Sequence, residues 1–208
     1  MSLRICLLAV ACLTGFTIGR STAEEPRFLG RTRLEWIDAL ALSKRGQRSH
    51  AAWAIQEFAV GQADRENGLL WLNELLLLTE SPTSPSVRYW GTLGLGRLCQ
   101  KLEPTAPARI KAQEALPLLL KDLSPAVRIA AADALLPATD KAAALALLVE
   151  SLSHPQEAVR IQAIMALERW GEAARPAVAS LRQATTDSSE YVKRISTRAL
   201  EKLDRRSP

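Results

Sequence analysis

The chain has 208 residues, of which 48% are hydrophobic and 24% are charged, with 10 glycines and 11 prolines. This composition excludes a wholly disordered chain, a collagen-like fibre and a low-complexity linker, and the length suits one or two ordinary domains. Alanine and leucine dominate the apolar residues, and aromatic residues make up 5%. Because small and unbranched apolar side chains favour helices over strands, the composition predicts an all-α protein.

The first 23 residues have the layout of a cleavable secretory signal peptide. Arg4 provides a short positive start, and the range 5–16 is mainly apolar. Ser21 and Ala23 supply the small side chains that a signal peptidase recognises. We therefore expect a secreted or periplasmic protein that is cut after Ala23.

Two alternatives to cleavage remain open at this point. The apolar run is shorter than the roughly 20 residues that a membrane-spanning helix needs, but an N-terminal anchor is one alternative. Lipidation at Cys12 is the other, since the range 9–12 weakly resembles a lipoprotein motif. With cleavage after residue 23, a short linker is expected over 24–30, and no integral membrane span follows.

Cleavage at this position changes the charge and the cysteine content of the chain. The full chain carries a net charge of +5, and without Arg4 and Arg20 it keeps 25 basic and 22 acidic residues, a net charge of +3. This weak, interspersed charge does not indicate a nucleic-acid partner. Cys99 is then the one remaining cysteine, so no internal disulfide forms, and we interpret it as a small buried hydrophobic residue.

Four segments of the chain repeat one another. Each contains a valine, a basic residue at the next position, small residues at +4 and +7, and leucine at +8. The valines are Val87, Val127, Val159 and Val192, at intervals of 40, 32 and 33 residues. These offsets fall on one helix face, where small side chains let a neighbouring helix approach closely. Ala131, Ala163 and Ala166 are therefore expected to lie at helix contacts.

A second apolar helix and a short break precede each of these segments. The predicted preceding helices span 69–78, 115–123, 142–152 and 174–184, and a degenerate pair spans 32–42 and 48–60, separated at Gly46. Helix pairs at a fixed period are typical of solenoids. We predict an all-α, right-handed α-solenoid of about five antiparallel helix pairs over 31–203, with clear repeats over 84–203 and a tail at 204–208.

These residues resemble a known repeat family. The Val-Arg pair that follows a proline-containing turn, with small residues and Ala-Leu behind it, resembles HEAT repeats, an armadillo-like superhelix, and in particular the short HEAT-like repeats of phycobilin lyases. The range 84–203 is also similar to the non-catalytic HEAT-like tail of secreted planctomycete-type sulfatases. The resemblance implies a ladder between neighbouring repeats, formed by an aspartate before the turn and the arginine after the valine.

The candidate site residues follow from this resemblance. Asp122 and Asp187 hold the acidic position of the ladder, whereas Pro82 and His154 replace it in the other two repeats. The basic residues that directly follow the four repeat valines form a column along the stack. They are Arg88, Arg128, Arg160 and Lys193. They either line a groove that binds an anionic partner, such as an acidic peptide or a sulfated glycan, or pair with carboxylates and hold the repeats in register. We favour the pairing. Because Pro82 replaces the acid of its own repeat, Arg88 is the arginine expected to be free for a ligand.

The sequence contains no recognisable catalytic, cofactor or metal motif. It lacks a nucleophile elbow, a phosphate-binding glycine loop, H-E-x-x-H, CxxC and the sulfatase cysteine motif. His50 and His154 are interpreted as solvated loop histidines. Trp90 and Trp170 are expected to pack in the core or between repeats, and the tryptophans of the first pair, Trp36 and Trp53, are expected to cover the end of the stack.

The function predicted from these observations is that of a non-catalytic scaffold. The chain is expected to bind another protein through the concave surface of the solenoid, with no catalytic residue, no cofactor and no metal. The alternatives are an accessory or detached C-terminal module of a secreted sulfatase-like hydrolase, or a phycobilin-lyase-like enzyme. The sequence specifies neither the partner nor an oligomeric state.

Overall fold

Successive helix pairs make up the part of the chain that the computed structural model describes, namely residues 26–42, 45–64, 67–81, 84–136 and 141–205. The predicted signal peptide lies outside these residues. The first three pairs are α1 Arg33–Leu42 with α2 Arg45–Gln62, α3 Gly68–Thr79 with α4 Pro85–Lys101, and α5 Pro107–Leu119 with α6 Pro125–Ala134. The last two are α7 Ala142–Ser151 with α8 Glu157–Trp170, and the 3₁₀ helix Gly171–Ala177 continuing into α9 Val178–Ala184 with α10 Glu190–Asp204.

Serine and proline set the start of the second helices. Ser84 and Ser124 have the extended backbone of an N-cap, and Pro85 and Pro125 follow at the first helical position. Proline suits that position because its fixed φ matches the helix and its missing N–H would have no partner there. At the last pair the hydroxyl of Ser189 accepts the N–H of Val192. The sequence pattern therefore places these turns correctly.

The second helices form a continuous layer, and this layer makes the molecule an all-α solenoid. α2 packs on α4, α4 on α6, α6 on α8 and α8 on α10, while each first helix packs on the second helix of its own pair. The four repeat valines are all buried. Ala131, Ala163 and Ala166 are completely buried, which confirms their expected place at helix contacts.

Glycine is required where α3 meets α4. A Cβ atom on Gly91 would lie 2.7 Å from the Cβ of Leu78 and 2.9 Å from the carbonyl oxygen of Leu75. One turn later, a Cβ on Gly94 would lie 2.4 Å from Leu75 Cδ2 and 2.9 Å from Gln56 Cγ. The small residues at +4 and +7 of this repeat therefore set the spacing between helices.

Several predicted boundaries differ from the structure. Gly46 lies inside α2, which begins at Arg45, and does not separate the first two helices. Glycine costs little there, because the first-turn N–H groups have no partner within the helix in any case. α5 begins at Pro107, eight residues before its predicted start, since proline at the first position initiates a helix as well as ending one.

The apolar helix α3 is only partly buried. Leu72 and Leu75 are fully buried, whereas Leu69, Leu70 and Leu77 are exposed, so one face of this helix contacts the core and the opposite face does not. None of the described helices has the length and apolar character needed to cross a membrane. Among the described residues there is no strand, only an isolated bridge between Phe28 and Arg31.

An aromatic cluster covers the end of the stack at the first helix pair. Trp36 is buried, its indole N–H donates to the carbonyl of Phe28 at 3.0 Å, and Arg31 lies 4.8 Å from its ring centroid. His50 stacks on Trp53 at 5.4 Å. Phe28 falls within the range expected to be a linker, but its ring packs against Trp53 at 5.7 Å. The two tryptophans therefore cover this end of the core as expected, while His50 is a helix residue and not a loop residue.

The other two predicted tryptophans also pack as expected. Trp170 is buried at the end of α8. Trp90 is half-buried, and its indole N–H donates to the hydroxyl of Ser49 in the preceding pair at 3.1 Å. Both side chains therefore contribute to the core or to contacts between repeats.

Candidate functional site

The arginine that follows the repeat valine binds the aspartate of the next repeat. Arg88 donates from Nε to Asp122 Oδ2 at 2.7 Å and from Nη2 to Asp122 Oδ1 at 2.8 Å. Its Nη1 donates to the carbonyl of Ser81 at 2.9 Å. Both side chains are about nine-tenths buried. Arg88 is therefore fully engaged, and the expectation that it is free for a ligand is wrong.

Arg160 and Asp187 form a second rung with the same geometry. Arg160 Nε and Nη2 each donate to a carboxylate oxygen of Asp187 at 2.8 Å, and Nη1 donates to the carbonyl of His154 at 2.9 Å. We use "rung" for such a pairing between the arginine of one repeat and the acid of the following repeat. Parallel N–H···O bonds of this kind are among the stronger and more directional polar contacts in proteins.

Each rung also organises the turn before the next second helix. Asp122 Oδ1 accepts the N–H of Ser124 at 2.7 Å, and Asp187 Oδ1 accepts the N–H of Ser189 at 2.8 Å. The hydrogen bond from Arg160 is the main reason that the pKa of Asp187 lies below its usual value. Burial acts to raise the pKa of Asp122, but the hydrogen bonds from Arg88 and Ser124 outweigh it, so this pKa is lowered as well.

Arg128 has no acidic partner of this kind. Its Nη1 donates to the carbonyl of Asp122 at 2.9 Å, the anchor that the other two arginines also make to their own turns. The position that would complete its rung in the next repeat is occupied by His154, whose Nδ1 accepts the N–H of Gln156 at 3.1 Å. His154 thus replaces the aspartate in the turn but brings no carboxylate. Among the described residues, Arg128 takes part in no ion pair.

The remaining members of the column behave differently from the sequence expectation. Lys193 binds Glu190 of its own helix at 2.6 Å and makes no rung. Pro82, which was expected to interrupt the ladder at Arg88, lies outside the described residues. The interruption instead affects Arg128, because the pairing runs from each arginine forward to the next repeat.

A shallow groove crosses three of the second helices. Its volume is about 110 Å³, well below the roughly 300–1,000 Å³ of sites for small molecules. It is lined by Tyr89 and Leu93 of α4, by Ile129, Ala130 and Asp133 of α6, and by Gln162, Met165 and Arg169 of α8. The groove therefore suits a side chain of another protein better than a small molecule.

The groove has an apolar centre with polar groups around it. The side chain of Met165 is 40% exposed, and the side-chain oxygen of Gln162 is buried with no hydrogen-bond partner. Arg169 binds Asp133 at 2.7 Å, although burial raises the pKa of this carboxyl group. Burial also raises the pKa of Tyr89.

Further ion pairs join the second helices of neighbouring repeats, and sequence reasoning missed them. Arg97 of α4 binds Glu57 of α2 at 2.6 Å, and Glu168 of α8 binds both Arg198 and Lys202 of α10. A signal was present, because positions +6 and +10 after the valine carry most of these charges. Together they hold the layer of second helices in register.

The repeated rungs and the continuous layer of second helices place the chain among known repeat proteins. Residues 112–201 match the family model of HEAT repeats. This HEAT-repeat segment runs from α5 into α10, and it includes the Arg160–Asp187 rung and the unpaired Arg128. Solenoids of this kind present extended surfaces for binding other proteins, so this part of the chain is a repeat scaffold.

The chain is also similar to solved structures, one of which has low sequence identity to it. It is the crystal structure of an engineered protein from the Northeast Structural Genomics Consortium, with 19% identity, coverage of 83% of this chain and 96% of that chain, and a TM-score of 0.38. None of the curated proteins matches this chain.

A larger groove lies beside the second rung but offers no free charged ladder residue. It has a volume of about 580 Å³ and lies between the turn after α7 and the end of α9. Arg160 and Asp187, which contribute to its wall, are bound to each other.

No group of three or more metal-ligating side chains occurs among the described residues. The HEAT-repeat fold favours a non-catalytic scaffold.

Cys99 is unsuited to nucleophilic chemistry. Its side chain is 1% exposed, which confirms the interpretation as a buried small hydrophobic residue, and burial raises the pKa of the thiol to about 11. Because the thiolate is the reactive form, we expect the folded protein to resist alkylation by iodoacetamide at pH 8 and to react rapidly in urea. Mass spectrometry of the alkylated protein measures both states. Rapid labelling without urea would contradict the burial of this thiol.

Proposed function

We propose that this protein is an exported HEAT-repeat scaffold that binds another protein through its concave surface, across the exposed face of its second helices. The observation that supports this most directly is the groove over α4, α6 and α8. Tyrosine, methionine and arginine, all present in it, are enriched in protein interfaces. An apolar centre with a polar rim is the usual composition of such a surface.

The ladder arginines do not provide this binding surface. Arg88 and Arg160 already bind Asp122 and Asp187 through two hydrogen bonds each. A partner that displaced either arginine would leave a nearly buried aspartate without its counter-charge, which is costly. Recognition is therefore assigned to the groove, where the exposed side chain of Met165 has contacts still to make.

The support for export comes from the sequence alone. The charge, apolar run and small residues of the first 23 positions are those of a signal peptide. We propose that the partner is a secreted or periplasmic protein, or a domain of one, that meets the scaffold outside the cytoplasm.

The experiment is to capture the partner with the mature protein and then map its binding with charge substitutions. Met165→Glu places a carboxylate at the centre of the groove, and we expect it to weaken binding at least tenfold. The matched control is Leu118→Glu, which changes an exposed residue on the first helix α5. Isothermal titration calorimetry measures both. The proposal fails if Leu118→Glu abolishes binding and Met165→Glu leaves it unchanged, because exposed leucines of the first helices would then form the interface.

A further inference from the structure

The three ladder arginines are presented in the same way, but one of them lacks its acid. In all three, Nη1 donates at 2.9 Å to a backbone carbonyl of the turn before its own helix. For Arg88 and Arg160, this anchor leaves the Nε–Nη2 edge facing the aspartate of the next repeat. Since Arg128 has the same anchor on the same turn of its helix, we expect its Nε–Nη2 edge to face the corresponding position in the next repeat.

His154 occupies that position and cannot neutralise the arginine. Its Nδ1 is used as an acceptor for the N–H of Gln156, so its remaining ring nitrogen carries the proton when the ring is neutral. Both Arg128 and His154 therefore offer N–H donors and no acceptor to each other. This position therefore has the arginine of a rung but lacks the carboxylate that accepts the hydrogen bonds of the arginine in the other two rungs.

We infer that Arg128 binds a carboxylate of the partner protein, which completes the rung from outside. The planar guanidinium group donates two parallel hydrogen bonds to a carboxylate, as it does in the two rungs within this chain. Arg128 directly precedes Ile129 and Ala130, which line the groove, so we expect a partner lying in the groove to come within reach of Arg128. The source of the carboxylate rests on the proposed function, whereas the site itself can be tested without any partner.

The first test places an acid at position 154 of the chain itself. His154→Asp supplies the missing acid, and His154→Asn is the matched control, because asparagine also accepts the Gln156 N–H but carries no charge. We expect His154→Asp to melt roughly 2–4 °C higher than His154→Asn, and the difference to vanish when Arg128→Ala is added. Equal melting temperatures for the two variants would overturn the inference that Arg128 faces this position.

The second test uses sodium acetate as the probe. Acetate, titrated against sodium chloride at equal ionic strength, should shift the Nε–Hε resonance of Arg128 in the ¹⁵N NMR spectrum. The corresponding resonances of Arg88 and Arg160 should stay in place, and His154→Asp should abolish the Arg128 shift. An Arg128 resonance that acetate does not move, or moves equally in His154→Asp, would overturn the carboxylate site.

The partner then separates this inference from the proposed function. We expect Arg128→Ala and His154→Asp each to weaken partner binding about tenfold, in addition to any effect of Met165→Glu. If acetate binds at Arg128 but Met165→Glu has no effect on the partner, the groove proposal fails and the site remains. If Met165→Glu weakens binding and both Arg128→Ala and His154→Asp bind the partner normally, the groove proposal stands and the partner carboxylate is refuted.

Discussion

Replacing Gly91 with alanine is expected to destabilise the protein by about 2–3 kcal/mol. The new Cβ would lie within 3 Å of backbone atoms of Leu75 and Thr79 in α3, and backbone cannot move aside as a side-chain tip can. The two helices must therefore separate. Alanine's better helix propensity offsets only about 0.5–1 kcal/mol of this cost.

Gly61→Ala is the matched control for this substitution. Gly61 also lies in a helix, α2, but a Cβ there would have no atom within 4 Å. We expect this variant to be more stable than the wild type by about 0.5 kcal/mol. Urea unfolding followed by circular dichroism gives both values. Equal effects of the two alanines would mean that α3 and α4 are not in close contact at Gly91.

Removing a rung arginine is expected to have the second-largest effect. Arg160→Ala should cost about 1–2 kcal/mol, because it breaks two charge-assisted hydrogen bonds and leaves Asp187 with reduced solvation. Arg88→Ala should behave alike for the same reason. Arg128→Ala should cost less than either, since among the described residues no carboxylate accepts a hydrogen bond from Arg128, which acts on the Asp122 carboxylate through its charge alone. Thermal or urea unfolding of the three variants tests this order.

The pH dependence of the rung has a definite sign. The pKa of Asp187 is lower in the folded protein than its usual value of about 3.9, so between these two values the unfolded chain binds more protons. The rung contributes fully above about pH 4, and its contribution is lost as the pH falls through the folded pKa. Arg160→Ala should therefore flatten the loss of stability below pH 4. An acid limb as steep as that of the wild type would contradict the rung.

The repeat pattern predicts most of the fold, because small residues at +4 and +7 have to lie where helices touch. Ala163 and Ala166, assigned to the core from spacing alone, are completely buried. Spacing could not give the start of α5, because Pro107 both ends the preceding connection and begins the helix. Nor could it show that Phe28 belongs to the aromatic cluster of the first pair, since that contact depends on how the chain turns back on α2.

The direction of the ladder was not predictable from the position of residues within one repeat. Sequence reasoning compared Arg88 with Pro82 in its own repeat, whereas the structure pairs it with Asp122 of the next. Each arginine lies at the start of a second helix and extends to the neighbouring turn, so the relevant acid lies about 30 residues ahead. Because each arginine pairs with the acid of the next repeat, the arginine without a rung is Arg128 and not Arg88.

A double-mutant cycle on Asp122 tests this account most directly, because Asp122 lies between the two candidate arginines. Unfolding free energies of the wild type, the single alanine variants and the double variants give the coupling of Asp122 to Arg88 and to Arg128. We predict a coupling of at least about 1 kcal/mol with Arg88 and less than about 0.5 kcal/mol with Arg128. A larger coupling of Asp122 to Arg128 would show that the aspartate pairs with the arginine of its own repeat, and would contradict both the Arg88–Asp122 rung and the absence of a rung at Arg128.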